Sequence, residues 1–218
     1  VRVDLSDPSL SLSEAGTLGD NGWYVTPVVV DAAANDAISG LRSLQMNLNG
    51  GAWADTAGLT LSTDGEHQVD ARAADNAGRD TQESVEVRID HTLPFMTPTF
   101  QGTLGNNGWY VTPVTLKANA GDATSGLASV LPAAEIVVED TPEYIPEWTV
   151  QDNAGHEIST TLDSIKVDAT HPAIGFDPKD DILMGLVTLS GRAHDALSGL
   201  VKVEVSVNGG VTWTEVTV

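Results

Sequence analysis

Residues 19–28 read GDNGWYVTPV, and residues 105–114 repeat this stretch as GNNGWYVTPV with a single change. Downstream of each copy, at the same spacing, residues 36–41 read DAISGL and residues 122–127 read DATSGL. Motifs that recur in the same order at a fixed spacing indicate an internal structural repeat. The chain is therefore predicted to consist of copies of one folded unit.

Further motifs set the limits of these copies. A third DxxSGL motif lies at residues 195–200, and DNAG occurs at residues 75–78 and again at 152–155. The segment VRVD at residues 1–4 matches VRID at residues 87–90, which ends a repeat. The predicted parts are a terminal strand of a preceding module at 1–4, module 1 at 5–90, module 2 at 91–168 and a partial module 3 at 169–218. The partial module is either an excerpt of a longer array or a module that a strand of another chain completes.

The local pattern within each module predicts β-strands and no helices. Apolar and polar residues alternate strictly along residues 201–207 and again along residues 67–74, as expected for strands with one buried face. Leu41–Leu48 carries apolar residues at Leu44, Met46 and Leu48 with polar residues between them, and Asn49-Gly50-Gly51 follows with the residues of a hairpin turn. About seven short strands in a unit of this length predict a β-sandwich.

Composition excludes several classes of function. The chain has 31 acidic and 10 basic residues, a formal net charge of −21, which would repel nucleic acids. It has no cysteine, and no apolar run approaches the roughly 20 residues of a membrane-spanning helix. Neither a Gly-x-Ser-x-Gly nucleophile motif nor a phosphate-binding glycine loop occurs. We therefore predict no enzymatic activity, no membrane insertion of this segment, and no catalytic, cofactor-binding or metal residues.

Taken together, the motifs resemble the tandem immunoglobulin-like and fibronectin III-like repeats of bacterial extracellular surface proteins. The resemblance rests on NGWY, DxxSGL, GGxW, GEHQV at residues 65–69, DNAG and IDxTxP, and it covers nearly the whole chain. Such repeats occur in surface proteins, adhesins and secreted polysaccharide hydrolases, mostly as spacers, stalks or cohesive units. No catalytic or ligand residue defines the family, so the resemblance transfers none to this chain.

The fold prediction is therefore all-β, with tandem immunoglobulin-like β-sandwich modules in a semi-rigid rod. Pro94 and Pro172 stiffen the connections because proline fixes its own φ and restricts the residue before it. Module 2 departs from the pattern at Pro132, Pro142 and Pro146, which are expected to disturb its central strands.

The tryptophan side chains have two possible roles, packing within the chain and binding of sugars. The NGWY segment would suit an aromatic sugar platform, but its near-identical repetition favours a shared packing role. Trp53 follows the hairpin of module 1, whereas in module 2 Trp148 aligns with the inward-facing Ala71. We predict that Trp53 and Trp148 are both buried and fill equivalent core volumes.

An aspartate is the first residue of every DxxSGL and DNAG motif. These aspartates are Asp36, Asp75, Asp122, Asp152 and Asp195. They are expected to accept hydrogen bonds from backbone N–H groups in their own turns. The alternative is Ca²⁺ ligation, which uses six to eight oxygens, although no EF-hand loop is present. Any Ca²⁺ is expected at module junctions, near Asp4, Asp90 and Asp168. The acidic group of Asp177, Asp180 and Asp181 is predicted to be solvated.

The function predicted from these features is structural. The chain would be a segment of a bacterial extracellular protein, a stalk, surface-layer or filament-forming repeat, located at the cell surface. Its partners would be neighbouring copies or other surface proteins, with glycans as a further class, and exposed edge strands would permit assembly by β-strand complementation. The alternative is an accessory carbohydrate-binding module of a secreted glycoside hydrolase, which an exposed row of aromatic side chains would favour.

Overall fold

The computed structural model describes residues 2–177 and 187–217, and within them the regular structure is β except for a short 3-10 turn, Asp20–Gly22. The all-β prediction is therefore confirmed. Residues 178–186, with Asp180 and Asp181 of the predicted solvated acidic group, lie outside the described residues, as do Val1 and Val218.

The first part of the chain is a two-sheet sandwich. Its strands are β1 (Ser9–Ala15), β2 (Trp23–Tyr24), β3 (Val28–Asn35), β4 (Leu41–Leu48), β5 (Gly58–Leu61), β6 (Gly65–Asp75) and β7 (Asp80–Ile89). One sheet has the order β1-β3-β5 and the other the order β2-β7-β6-β4. The short strand β2 runs parallel to β7, and the other pairs are antiparallel. If β2 is taken as a continuation of the first strand, this is the division of strands in an immunoglobulin-like sandwich.

Strand alternation places the core between these two sheets. Along β6, Val69, Ala71 and Ala73 are fully buried, while the residues between them face outward. Val69 and Ala71 belong to the same core cluster as Val30 of β3 and Met46 of β4, which are also fully buried. Each large apolar side chain buried in this way contributes about 1.5–3 kcal/mol, so the alternating pattern fixes which face of each strand points inward.

The next strands are β8 (Phe95–Gln101), β9 (Trp109–Tyr110), β10 (Val114–Gly121), β11 (Leu127–Leu131), β12 (Glu135–Val138), β13 (Thr141–Tyr144), β14 (Glu147–Asp152), β15 (Glu157–Thr161) and β16 (Ile165–Val167). They form three sheets with the orders β12-β10-β8, β11-β14-β15 and β13-β16-β9. The order β8-β10-β12 matches β1-β3-β5, and β9 runs parallel to β16 as β2 does to β7.

Prolines interrupt this second set of strands. Where the first sandwich has the continuous strand β6, the corresponding segment consists of β13 and β14, separated at Ile145 and Pro146. The pairing of β13 with β16 also shifts register between Thr141 and Tyr144, around Pro142. Proline cannot donate to a strand ladder, so a continuous central strand is not possible here. The expected disturbance of these strands is confirmed.

The last described strands form two separate pairs. These strands are β17 (Ala173–Phe176), β18 (Gly191–His194), β19 (Val203–Val205) and β20 (Thr214–Val216). β17 pairs with β18 and β19 with β20, each antiparallel. The strand expected over residues 201–207 is shorter than predicted, and Val201 and Val207 are each 88% exposed. Alternation extends a strand only where a facing layer buries its apolar side, and two-stranded sheets supply little burial.

The chain divides into two compact units. The first comprises Val1–Thr97, Ala120–Pro132 and Thr149–Ser159, and the second comprises Pro98–Asn119, Ala133–Trp148 and Thr160–Val218. The segment 2–8 carries no strand. The module boundaries inferred from the repeats, 1–4, 5–90, 91–168 and 169–218, stay predictions, as does the rod.

Candidate functional site

Each repeat contains a sharp turn that an aspartate stabilises from within. Asp36 Oδ1 accepts hydrogen bonds from the backbone N–H groups of Ser39 at 2.8 Å and Gly40 at 2.7 Å. Gly40 has a φ of 79°, which glycine adopts without strain. Asp122 and Asp195 accept the corresponding glycine N–H bonds in their own turns. The expected turn-stabilising role of these aspartates is confirmed.

A second aspartate reaches the same turn from the segment that precedes the repeat. The Ser39 N–H also lies 3.0 Å from Asp4 Oδ2. The corresponding serine N–H lies 3.2 Å from Asp90 Oδ2 in the next turn and 2.9 Å from Asp168 Oδ2 in the third. Asp90 follows directly after β7, and Asp168 directly after β16. An aspartate that lies earlier in the chain therefore completes each of these three turns.

Hydrogen bonds lower the pKa of all three of these aspartates below 3.8. For Asp4 the largest cause is the backbone N–H of Ser6, and for Asp168 it is the side chain of Ser198. For Asp90 burial acts to raise the pKa, but hydrogen bonds from the following turn and from Thr92 outweigh it.

Asp75 carries the least satisfied carboxylate of the region. Its side chain is fully buried, and its Oδ1 accepts the N–H groups of Gly78 at 2.6 Å and Arg79 at 2.8 Å. Its Oδ2 is buried and accepts no hydrogen bond from any residue in the two described ranges. Burial of a polar oxygen without a hydrogen bond raises the free energy of the folded chain. A ligand bound at this atom would therefore stabilise the fold.

The equivalent aspartate of the second repeat has a partner. Asp152 Oδ1 accepts the His156 N–H at 2.8 Å, and Asp152 Oδ2 lies 3.0 Å from His156 Nδ1. In the first repeat the equivalent position is Arg79, whose guanidinium contacts Asp7 at 2.9 Å instead. The sequence analysis did not identify this difference. Its signal was the residue after DNAG, which is arginine in one copy and histidine in the other.

Two groups of potential ligand atoms result. We define the first junction as Asp4, Asp36 and Asp75, and the second junction as Asp90, Asp152 and His156. Within each junction one ligand atom per residue lies within 4.8 Å of the others. The first junction draws its carboxylates from the segment before β1, the β3–β4 turn and the end of β6. Carboxylate oxygens gathered in this way are the ligands that hard divalent cations use.

Most tryptophans pack against other residues of the chain. Trp23 and Trp148 are buried, with 7% and 2% of their surface exposed. Trp109 is half-buried, and Lys166 Nζ lies 5.2 Å from its ring centre. The packing interpretation of the NGWY segment therefore fits better than a sugar platform. Trp213 is the one mostly exposed tryptophan, at 60%, so the five do not form an exposed aromatic row.

The prediction for Trp53 is wrong. This side chain is only half-buried, and the Arg72 guanidinium stacks over its ring at 4.3 Å. Arg72 alternates with the buried Ala71 and Ala73 of β6, so Trp53 packs on the outward face of the sheet. The favourable cation–π contact and partial burial account for this position.

A shallow depression of 340 Å³ lies on the outer face of β4, β6 and β7. Its charged lining residues are Arg42, Arg72 and Asp80.

Comparison with known proteins gives matches among solved structures only, and the match described here has a low TM-score. No protein-family model and no curated protein matches the sequence. Among solved structures, the chain is similar to fibronectin(III)-like modules of Clostridium thermocellum CbhA, with 15% sequence identity and a TM-score of 0.32. That match covers 73% of this chain and 93% of the other.

None of the described residues belongs to a helix long and apolar enough to span a bilayer.

Proposed function

We propose that the chain is a structural and interaction segment of a bacterial extracellular protein, acting as a stalk, surface-layer or filament-forming repeat. The observation that carries the proposal is the contact made three times by Asp4, Asp90 and Asp168 with the serine of the following turn. A contact that uses equivalent atoms at each junction suits an array built by repetition. The net charge of −21 would keep such an array soluble.

Residues 173–177 and 187–216 provide the surface for interaction. Their apolar side chains are largely exposed at Ile174, Phe176, Val201, Val207, Val211 and Trp213. In the described part of the chain, β17–β18 and β19–β20 are two-stranded sheets that leave backbone edges unpaired. Unpaired edges beside exposed apolar side chains favour strand addition from another chain. We infer that neighbouring copies supply those strands.

The test is the mass of the particle in solution as a function of protein concentration, measured by sedimentation equilibrium. The wild-type chain is expected to associate as its concentration rises. The double variant Ile174→Lys/Phe176→Lys places charges on the exposed face of β17 and is expected to remain monomeric.

Leu93→Lys is the matched control, because Leu93 is 61% exposed and lies outside residues 173–216. This variant should associate like the wild type. A wild-type chain that stays monomeric at every concentration, or a double variant that associates unchanged, would rule out assembly through β17.

A further inference from the structure

We propose that the first junction, formed by Asp4, Asp36 and Asp75, binds one Ca²⁺ ion. This inference goes beyond the architectural role, because it assigns a ligand to a defined set of side chains. The ion would connect the segment before β1 to the body of the first sandwich.

The geometry suits a single ion. One carboxylate oxygen from each of the three residues lies within 4.8 Å of the other two. Ca²⁺–oxygen distances are about 2.4 Å, so oxygens up to about 4.8 Å apart can share one ion. All three residues belong to the same compact unit, which holds the ligands on one framework.

The hydrogen bonding leaves oxygens free for this purpose. In Asp36 all hydrogen bonds from the described residues go to Oδ1. In Asp75 they also go to Oδ1, and the buried Oδ2 has no partner among those residues. The turns therefore use one oxygen of Asp36 and one of Asp75 and leave the other available. Asp4 accepts one N–H group on each oxygen, from Ser6 and from Ser39, and a carboxylate oxygen with one hydrogen bond keeps a second lone pair for a cation. Three anionic groups this close repel each other unless a cation neutralises them.

The donor chemistry selects among cations. All three side chains supply hard oxygen ligands, with no imidazole or thiolate, which disfavours zinc and copper. Mg²⁺ usually retains several waters and takes one or two carboxylates, whereas Ca²⁺ accepts several carboxylates in flexible geometry. Water and backbone carbonyls would complete the six to eight ligands.

The second junction shows what replaces the ion. There His156 Nδ1 lies 3.0 Å from Asp152 Oδ2, the atom equivalent to the unpartnered oxygen of Asp75. Arg79, at the position of His156, places its guanidinium against Asp7, and Asp75 Oδ2 has no hydrogen-bond partner within residues 2–177 and 187–217. The proposal therefore assigns Ca²⁺ to the first junction and none to the second.

The test is calorimetric titration of CaCl₂ into the full 218-residue chain, stripped of metal by a chelator and held at moderate ionic strength. The wild type is expected to bind one Ca²⁺ saturably, with MgCl₂ at least about tenfold weaker. Asp75→Asn keeps an amide oxygen for Gly78 and Arg79 but loses the free carboxylate oxygen. It should weaken Ca²⁺ binding by about tenfold or more, as should Asp36→Asn, since ligand charge sets affinity.

Asp122→Asn is the matched control, because Asp122 stabilises the equivalent turn of the second repeat. Its Ca²⁺ affinity should equal that of the wild type. The absence of saturable wild-type binding would overturn the proposal. So would unchanged binding in both first-junction variants, since the ion would then sit elsewhere on the acidic surface.

A second measurement needs no variant. Mn²⁺ added in place of Ca²⁺ should broaden the amide resonances of Ser39, Gly40 and Arg79 before those of Ser125, Gly126 and His156. Uniform broadening, or none, would contradict a site at the first junction. Both experiments use chain kept dilute, so failure of Ca²⁺ binding leaves the test of assembly through β17 unaffected.

Discussion

Trp148 is the largest fully buried side chain of the described residues. Its Nε1 donates a hydrogen bond to the Ala133 carbonyl at 2.8 Å, so this indole is satisfied as a donor as well as packed. A buried aromatic side chain with its polar atom paired contributes through both apolar burial and the hydrogen bond.

Trp148→Ala should therefore lower the free energy of unfolding by about 3–5 kcal/mol, through a cavity and an unpaired carbonyl. Urea unfolding followed by circular dichroism measures this change. Trp213→Ala is the control, because the Trp213 side chain is 60% exposed, and its effect should stay within about 0.5 kcal/mol. Equal effects of the two substitutions would contradict the assigned burial.

Trp148 and Trp53 show how far the sequence predicts the burial of a single side chain. Trp148 aligns with Ala71 in an alternating strand, and alternation gives its inward direction. Trp53 lies between strands, where no periodicity specifies a face, and its position depends on the contact with Arg72. The pairing of His156 with Asp152 likewise depends on distances between side chains, which motif spacing does not supply.

At the scale of elements, strand limits follow the sequence where both neighbours are present. Leu41–Leu48 is predicted from alternation, and β4 has these limits because β6 pairs along its length. The segment 201–207 has stronger alternation, but only Val203–Val205 forms a strand, since β20 is its one pairing partner among the described strands. Apolar–polar alternation thus favours strand conformation, and the neighbouring strands determine the length of the strand.

The loop between β1 and β2 contacts the turn after β14 through its backbone and through the Asn21 side chain. Asp20 N–H donates to the Ala154 carbonyl at 2.9 Å, and Asn21 Nδ2 donates to the Asn153 carbonyl at 3.0 Å. Both partners belong to the first compact unit. The approach depends on Gly19, because a Cβ atom there would overlap the Ala154 carbonyl oxygen.

Gly19→Ala should break both hydrogen bonds, with a loss of about 1–3 kcal/mol. Amide hydrogen exchange measures the effect, and the Asp20 amide should exchange faster in the variant. Gly175→Ala is the control, since a Cβ atom at Gly175 meets no neighbouring atom within 4 Å. Unchanged protection of Asp20 in the Gly19 variant would contradict this close approach.

For the whole molecule, the three aspartates at repeat ends predict sensitivity to acid. Asp4, Asp90 and Asp168 have a lowered pKa in the folded chain, so folding favours their charged form. Their stabilising effect is fully present above the unfolded pKa of about 3.9 and is lost as pH falls through the lower folded pKa. The free energy of unfolding should therefore decrease below about pH 4.

Asp90→Asn should reduce the difference in stability between pH 7 and pH 3, because the amide side chain of asparagine does not titrate. Urea midpoints at the two pH values measure this difference. Glu83→Gln, on the exposed side of β7, is the control that changes the net charge by the same amount. It should keep the wild-type difference, and a wild-type difference in Asp90→Asn would show that the junction does not contribute.

Asp4, Asp90 and Asp168 each come earlier in the chain than the turn that they complete. During translation, each acceptor leaves the ribosome before the serine that donates to it. The turns can therefore fold in order from the N-terminus. A fragment that contains one of these turns but lacks the upstream aspartate would be missing a hydrogen bond to the serine N–H group. A truncated chain that is to keep one of these turns intact should therefore begin upstream of the aspartate that completes the turn.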